Sequence, residues 1–385
     1  MIFIMFSKFR FFYIAAFILQ KTNAMPTVTQ SYKSGNQLSA KSVLTWRIIQ
    51  AAVWVVGLVI FLSLIFYPSL GLLLFWNILI PVAPALFVVA VGIWRNVCPL
   101  ATTNLLPRHF NLSKRKKMSI KLQSKLQLVA ILSLYFIVPL RHALLNRNGL
   151  ATASLLTIAG ITGFAMSFIF DWKSSWCSTL CPVHPVEKLY GGKTLVSMPN
   201  AHCEECVNCS VPCPDSTPSF HPSLAQKTIY HKIGGILTIG GLPGFIWGWF
   251  HVPDQLEITN WYNFLATYQL PLIGLVTSSA VYLFLQLFLK GKNERTLINV
   301  FAASGVSCYY WYRLPALFGF GSFADDGLLI NLKNVLPSWS IIAITIATTL
   351  FFFWWIVLRK TKQKSWVVRP EYAAKHTSID SQSFA

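Results

Sequence analysis

The stretch that decides the fold runs from Ile48 to Trp94 and reads IIQAAVWVVGLVIFLSLIFYPSLGLLLFWNILIPVAPALFVVAVGIW. It contains no charged residue and no histidine. Because one spanning helix needs about 20 apolar residues, the stretch is long enough to cross a bilayer twice. It divides into two apolar runs, at 48–67 and 70–94, and therefore predicts a hairpin of two membrane helices.

Six further apolar runs of this kind follow, so the sequence predicts eight spans, at 48–67, 70–94, 126–145, 150–170, 233–252, 267–289, 297–319 and 338–358. The fifth and seventh runs have the weakest apolar signal. In the fifth run, Gly240, Gly244 and Gly248 recur every four residues, which predicts a smooth face for close helix packing. Pro243 in the same run favours a re-entrant turn as the alternative.

The composition excludes a soluble domain. The 385-residue chain has 32 Lys and Arg against 12 Asp and Glu, a net charge of +20, yet only 11% of it is charged and 54% is hydrophobic. A nucleic-acid-binding protein of this charge would carry bases throughout, whereas here they lie between apolar runs, as in a polytopic membrane protein. We therefore expect contact with membrane lipids and no nucleic-acid partner.

The distribution of bases predicts the topology, because Lys and Arg are retained on the cytoplasmic side. Segments 95–125, 290–296 and the tail from 359 are rich in bases, and 171–232 holds five lysines. The intervening loops carry acids instead, namely Asp254, Glu257, Asp325 and Asp326. Eight spans with both ends in the cytoplasm satisfy every loop, which predicts a multi-pass protein of a bacterial-type inner membrane.

The first residues do not fit this topology. A spanning helix over the short apolar run at 11–19 would place Lys33, Lys41 and Arg47 on the outside. We expect Met25 to be the true start, with a signal-like segment or an interfacial helix as the alternatives.

The chain thus divides into five parts. They are an N-terminal segment with a polar tail at 1–47, a four-helix membrane region of two hairpins at 48–170, a cytoplasmic loop at 171–232, a second four-helix membrane region at 233–358, and a cytoplasmic tail at 359–385.

The cytoplasmic loop contains the most specific motif of the chain, Cys203-Glu-Glu-Cys206-Val-Asn-Cys209-Ser-Val-Pro-Cys213-Pro214. The spacing C-x2-C-x2-C-x3-C-P is typical of bacterial ferredoxins. Structural zinc prefers two separated cysteine pairs or a mixture of Cys and His, and disulfides are disfavoured on a reducing side of the membrane. The motif predicts a [4Fe-4S] cluster on these four thiolates, in a small ferredoxin-type loop of an otherwise all-α membrane protein.

Two related motifs lie upstream, Trp94-Arg-Asn-Val-Cys98-Pro99 and Trp176-Cys177-Ser-Thr-Leu-Cys181-Pro182. Each follows a predicted two-helix hairpin, so we interpret the two units as an internal repeat. The repeat is expected to deliver both Cys-Pro corners to the cytoplasmic face, next to the ferredoxin run.

On these motifs the chain resembles the membrane-bound polyferredoxins of the NapH and NosR type over about residues 94–214. The resemblance implies electron transfer between the quinone pool, or another membrane donor, and a partner redox enzyme through [4Fe-4S] centres. Six cysteines fall on motif positions of that family: Cys177, Cys181, Cys203, Cys206, Cys209 and Cys213. Trp94 stands where the first repeat copy would carry its leading cysteine.

The number of clusters stays open at this point. We expect one cluster on the ferredoxin run, because seven nearby thiols do not fill eight ligand places. A second centre on Cys98, Cys177 and Cys181, completed by a group such as Cys213, His184 or His202, is the alternative. In the remaining interpretation these three cysteines are structural corner residues or a transient thiol pair. Cys308 is expected to be a buried small apolar residue.

These features predict an electron-transfer component rather than a stand-alone enzyme, with a redox partner protein and quinone or quinol as partners. A redox-linked assembly factor or redox sensor for a membrane oxidoreductase is the rival function. A transporter with a vestigial iron–sulfur loop is a third.

Overall fold

A computed structural model describes residues 31–32, 38–116, 118–170, 175–202, 209–210, 228–252, 261–289, 292–320 and 328–360. Within these residues, seven helices are long and apolar enough to cross a membrane. They are Ala40–Phe66, Pro68–His109, Ile120–Leu145, Gly149–Ile169, Ile229–Phe250, Trp261–Phe288 and Ser340–Leu358. The chain is therefore an integral multi-pass membrane protein with an all-α fold. The expectations for residues 1–24 lie outside the described residues.

The helices, in chain order, are α1 (Ala40–Phe66), α2 (Pro68–Leu72), α3 (Ile80–Val97), α4 (Pro99–His109), α5 (Ile120–Leu140), α6 (Gly149–Ile169), α7 (Val183–Tyr190), α8 (Ile229–Gly235), α9 (Leu242–Phe250), α10 (Trp261–Phe288), α11 (Lys292–Leu317) and α12 (Ser340–Phe353). Four π-helical segments, Leu73–Leu79, Arg141–Leu145, Ile236–Gly241 and Trp354–Leu358, join or extend them. Two short strands, β1 (Ser31–Tyr32) and β2 (Cys209–Ser210), pair antiparallel.

Seven of the eight predicted spans coincide with these apolar helices. The predicted seventh run, 297–319, forms α11, which is long enough to span but is not among the seven apolar ones. Its residues Ala303, Val306 and Arg313 are all fully buried. A helix surrounded by other helices needs no apolar surface toward lipid, which explains its weaker apolar signal.

The glycines of the fifth span make the close helix contact that their spacing predicts. A Cβ added to Gly244 would overlap the carbonyl of Gly274 in α10, and one on Gly248 would overlap the carbonyl of Leu270. Ile229–Phe250 is one continuous helical rod with Pro243 in the first turn of α9. The structure thus has close packing here and no re-entrant turn.

The chain breaks at Cys98, as the Cys-Pro pair predicts. Cys98 has φ −55° and ψ 120°, because the residue before a proline avoids the helical region. Pro99 then opens α4 at the position where a helix tolerates its missing N–H. α4 packs along α6, with Leu100 beside Gly160 and Asn104 against Gly163. The segment after Cys98 therefore continues within the bundle as a helix.

The end of the chain is tied to the segment between α7 and the ferredoxin run. The indole N–H of Trp355 donates to the carbonyls of Val88 and Lys193 at 3.0 and 2.9 Å. Arg359 donates to the same Lys193 carbonyl at 3.1 Å, and Lys193 donates in turn to the carbonyl of Val357 at 2.9 Å. These bonds fix the turn at 191–193 against the last helix.

Candidate metal centre

Three free thiols, those of Cys98, Cys177 and Cys181, come together beside α4 and α6. Cys98 lies at the break between α3 and α4, Cys177 on the short helical turn Trp176–Ser178, and Cys181 just before α7. They are close enough for the charge of each to act on the others. The fold thus brings together the Cys98-Pro99 and Cys181-Pro182 corners.

Cys177 is buried inside the bundle, and Cys98 and Cys181 are half-buried. Cys177 packs with Ala101 and Leu105 of α4 in a cluster that also includes Ala159 of α6. Ala159 precedes the last residue of α6 by ten positions, which is about 15 Å along the helix axis. Cys177 therefore lies beside the middle of α6 rather than beyond its end. That both Cys-Pro corners face the cytoplasm stays a prediction.

A buried ion pair adjoins the thiols. Nε of Arg95 lies 3.1 Å from Oε1 of Glu187, and the two side chains are 7% and 3% exposed. A second contact joins Nη1 of Arg95 to Oε2 of Glu187 at 3.5 Å. Burial raises the pKa of the Glu187 carboxyl, and the guanidinium offsets part of this effect. The charge of Arg95 also acts on all three thiols.

Burial disfavours the charged form of the Cys177 and Cys181 thiols. Burial raises the pKa of Cys177 to about 12, although Arg95 acts in the opposite direction. Burial raises the pKa of Cys181 as well, and the neighbouring thiols add to that rise. A metal group would have to displace these protons in order to bind.

Two buried polar side chains complete the surroundings of the thiols. The amide of Asn104 is 1% exposed and reaches the Cys177 thiol. Gly163 makes room for it, since a Cβ there would lie 2.6 Å from Oδ1 of Asn104. Ser178 is 2% exposed, and its hydroxyl has no hydrogen-bond partner within the described ranges.

Asn96 clasps the chain immediately before the ferredoxin run. Its side-chain amide donates to the carbonyl of Pro199 at 3.1 Å and accepts from the N–H of Ala201 at 2.9 Å. Its own carbonyl accepts from the amide of Gln50 at 2.9 Å. Asn96 is fully buried and lies two residues before Cys98. The clasp therefore holds residues 199–201 next to the thiols.

His202 continues this anchored segment and is fully buried. Its ring lies against the backbone of Arg95 and Asn96, and burial lowers its pKa to about 3, so the imidazole is neutral. His184, in the first turn of α7, is also buried. Its backbone N–H donates to the carbonyl of Cys181 at 3.2 Å. His184 thus lies directly beside Cys181, whereas His202 lies beside Arg95, whose charge acts on the thiols.

The ferredoxin run itself falls mostly outside the described residues. Cys203, Cys206 and Cys213 lie outside them, and Cys209 is described only as backbone in β2. Among the residues that are described, no group of three or more His, Cys, Asp or Glu is placed to hold a metal ion. Cys308 is buried in α11 near Tyr190, in the main core, as the sequence predicted.

Sequence analysis missed the polar groups around the thiols, namely Arg95, Asn96, Asn104 and Glu187. Arg95 and Asn96 belong to the quoted motif before Cys98 and could have been found there as polar residues inside an apolar context. Glu187 is the only acidic residue between 172 and 203, which was a usable signal for a paired carboxylate.

No protein-family model, no curated protein and no solved structure matches this chain.

Proposed function

We propose that this chain is a membrane-bound electron-transfer protein that carries a [4Fe-4S] cluster on Cys203, Cys206, Cys209 and Cys213. It passes electrons between the quinone pool, or another membrane donor, and a partner redox enzyme. The observation that carries the proposal is the C-x2-C-x2-C-x3-C-P run beginning directly after His202. That residue is buried against the backbone of Arg95, a buried cation whose charge acts on three further thiols.

The clasp at Asn96 supports the proposal because it fixes the chain where the run begins. Closing four thiolates around one cluster costs conformational entropy in a loop without fixed ends. Two hydrogen bonds from one buried amide hold residues 199 and 201 before any metal binds. Asn96 and Gln50 thus act as positioning residues for the first ligand, Cys203.

The donor set fits an iron–sulfur group in its chemistry. A [4Fe-4S] cluster, when bound, takes up and releases one electron, at a potential that charge and hydrogen bonding around it set. Glu204, Glu205 and Asp215 within and after the run favour the oxidised state. Arg95 favours the reduced state, and its pairing with Glu187 limits that influence.

The membrane topology proposed from the bases places the run in the cytoplasm. In this proposed topology α11 is the eighth span, because its 26 residues extend about 39 Å, more than the hydrocarbon core of about 30 Å. With α11 crossing, both chain ends and the basic segments share one side, as the charge distribution requires.

Anaerobic purification followed by iron and acid-labile sulfide analysis tests the proposal, with EPR spectra after dithionite reduction. Cys206→Ala is expected to lose about four irons per chain and one reduced-cluster signal relative to wild type. Cys308→Ala is the matched control, since it removes a buried thiol of α11 that is not part of the run and should keep all the iron.

A reversible one-electron titration of that signal would support electron transfer. Loss of the cluster in air, without a reversible reduction under argon, would favour the sensor function instead. Iron-free protein that remains folded would refute the cluster altogether.

A further inference from the structure

We propose that the basic loop, the segment 110–118 in the connection between α4 and α5, binds the headgroup of an anionic phospholipid. The loop carries the consecutive bases Lys114, Arg115 and Lys116. Lys114 and Lys116 are exposed and Arg115 is half-buried. The site contains no residue of the ferredoxin run and needs no metal.

The basic loop is fixed to the carboxyl end of α6. The backbone N–H of Lys114 donates to the carbonyl of Phe168 at 2.7 Å, and the backbone N–H of Lys116 donates to the carbonyl of Ile169 at 2.9 Å. The last carbonyls of a helix have no partner within the helix itself. Because backbone groups of the loop bind these carbonyls, the basic side chains are available for another partner.

The backbone at the start of the basic loop is also fixed. α4 ends in a Schellman motif, in which the N–H of Leu112 donates to the carbonyl of Pro107 at 2.8 Å. In the same motif the N–H of Asn111 donates to the carbonyl of Arg108 at 2.9 Å, and Asn111 has the left-handed conformation, with φ 55°. Met118 at the other end of the loop is buried. The loop is therefore ordered before a ligand binds, which lowers the entropic cost of binding.

The attachment to α6 places the basic loop at a bilayer surface. α6 has 21 residues and no charge, so it extends about 31 Å and just crosses a hydrocarbon core of about 30 Å. Ile158, Ile161 and Ile169 of α6 are exposed and share one face, because they are separated by about one and three helical turns. An acyl chain along this face would place its headgroup at the carboxyl end of α6, where the loop is bound.

The exposed side chains of the basic loop match the boundary between headgroups and acyl chains. Phe110 and Leu112 are 70% and 60% exposed, and the exposed Lys114 and Lys116 follow within four residues of Leu112. Large apolar side chains enter this boundary, and neighbouring bases bind the lipid phosphates. The loop therefore offers both kinds of contact that an anionic lipid surface provides.

The basic loop also has an excess of positive charge. The sequence holds no acidic residue between 95 and 125, and Asp171 and Lys173, which follow α6, cancel each other in charge. An acidic protein would be attracted by the same bases, but its polar surface would cover Phe110 and Leu112 without apolar contacts. The apolar pair therefore favours a lipid over a protein as the ligand.

Native mass spectrometry of the full chain in detergent tests the inference, with titrations of dioleoyl phosphatidylglycerol and dioleoyl phosphatidylcholine. Wild type should bind the anionic lipid more tightly than the zwitterionic one. The triple variant Lys114→Gln/Arg115→Gln/Lys116→Gln should lose about a hundredfold in affinity for phosphatidylglycerol at low salt, since each base contributes about fivefold near an anionic surface. The preference of wild type should weaken at high salt, because salt screens exposed charges.

The matched control removes three exposed bases that lie outside the loop, in the variant Lys41→Gln/Lys333→Gln/Lys360→Gln. It should bind phosphatidylglycerol as wild type does. The iron content of both triple variants should equal that of wild type, so the result does not depend on the proposed function.

Four outcomes would overturn the inference. They are equal affinity of wild type for the two lipids, an equal loss in the control, displacement of the lipid by an equal concentration of inorganic phosphate, and an acidic protein that co-purifies with wild type alone while no lipid preference exists. The third would show a site for free anions, and the fourth a surface for a protein.

Photochemical labelling of wild type keeps the test decisive if the triple variant does not fold. Phosphatidylglycerol with a diazirine on its headgroup, in nanodiscs, should label peptides that contain the basic loop and the carboxyl end of α6. Labels spread over all exposed helix ends, without enrichment at the loop, would refute the site.

Discussion

Replacing Glu187 by Gln should strongly destabilise the protein, because it leaves the Arg95 guanidinium charged and buried without its counter-charge. At the 3.1 Å separation of Nε and Oε1, Coulomb's law gives an attraction of about 5 kcal/mol for an effective dielectric constant of about 20. Measured losses on breaking one partner of a buried pair are about 3–5 kcal/mol. A loss of about 4 kcal/mol corresponds to a fall in Tm of about 5 °C for a chain of 385 residues.

Thermal unfolding in detergent, followed by size-exclusion chromatography of heated samples, measures this effect. Glu294→Gln is the matched control, since Oε1 of Glu294 accepts from Gln286 at 3.1 Å and an amide oxygen can replace it. The control should shift Tm by about 2 °C or less. The double variant Arg95→Met with Glu187→Leu should recover most of the loss, because apolar residues often replace a buried pair at no cost.

An equal Tm for Glu187→Gln and the Glu294→Gln control would refute the buried pair as a structural element. If the double variant does not recover the Tm of the wild type, Arg95 has a role at the thiol cluster besides its pairing with Glu187. The iron content of that variant would reveal this role.

Three further predictions concern packing and positioning. Gly244→Ala should lower the free energy of unfolding by about 3 kcal/mol, because the new Cβ would overlap the Gly274 carbonyl. Gly160→Ala is the contrasting variant, since its Cβ would meet only Leu100 at 4.0 Å. It should raise the free energy of unfolding by up to about 1 kcal/mol in the same thermal assay. Asn96→Leu should lower the iron content of the ferredoxin run while leaving the helical circular dichroism unchanged, because two backbone groups lose their clasp; full iron content would contradict the positioning role. Arg313→Met should lower Tm by about 5 °C, because its hydrogen bonds to the Trp76 carbonyl at 3.0 Å and to Asn77 at 2.6 Å are buried; an unchanged Tm would contradict their contribution.

The apolar runs predicted the spans well because a helix that faces lipid must have an apolar surface. α11 departs from this rule, since its neighbours are other helices and its Arg313 is buried among them. The break at Cys98 was also predictable, because the restriction before proline is local. The π-helical segments were not, since no sequence pattern marks them; in one of them the Trp76 carbonyl accepts a hydrogen bond from the distant Arg313.

The cysteines of the candidate site could be found from the sequence, because ligand spacing is written into short motifs, and their role as ligands stays a prediction. Their position in the fold could not be found in this way. Cys177 lies beside α6 through its packing with Ala101 and Leu105, which no local pattern encodes. Arg95 and Glu187 are 92 positions apart in the sequence, so local sequence patterns could not predict their pairing either.

The hydrogen bonds between the last helix and the turn at 191–193 have a consequence for biogenesis. Trp355 and Arg359 leave the ribosome long after Lys193, and both bind the Lys193 carbonyl. Until they arrive, the turn at 191–193 lacks these hydrogen bonds. In a nascent chain arrested before Ser340, this turn should therefore be held less firmly than in the full chain.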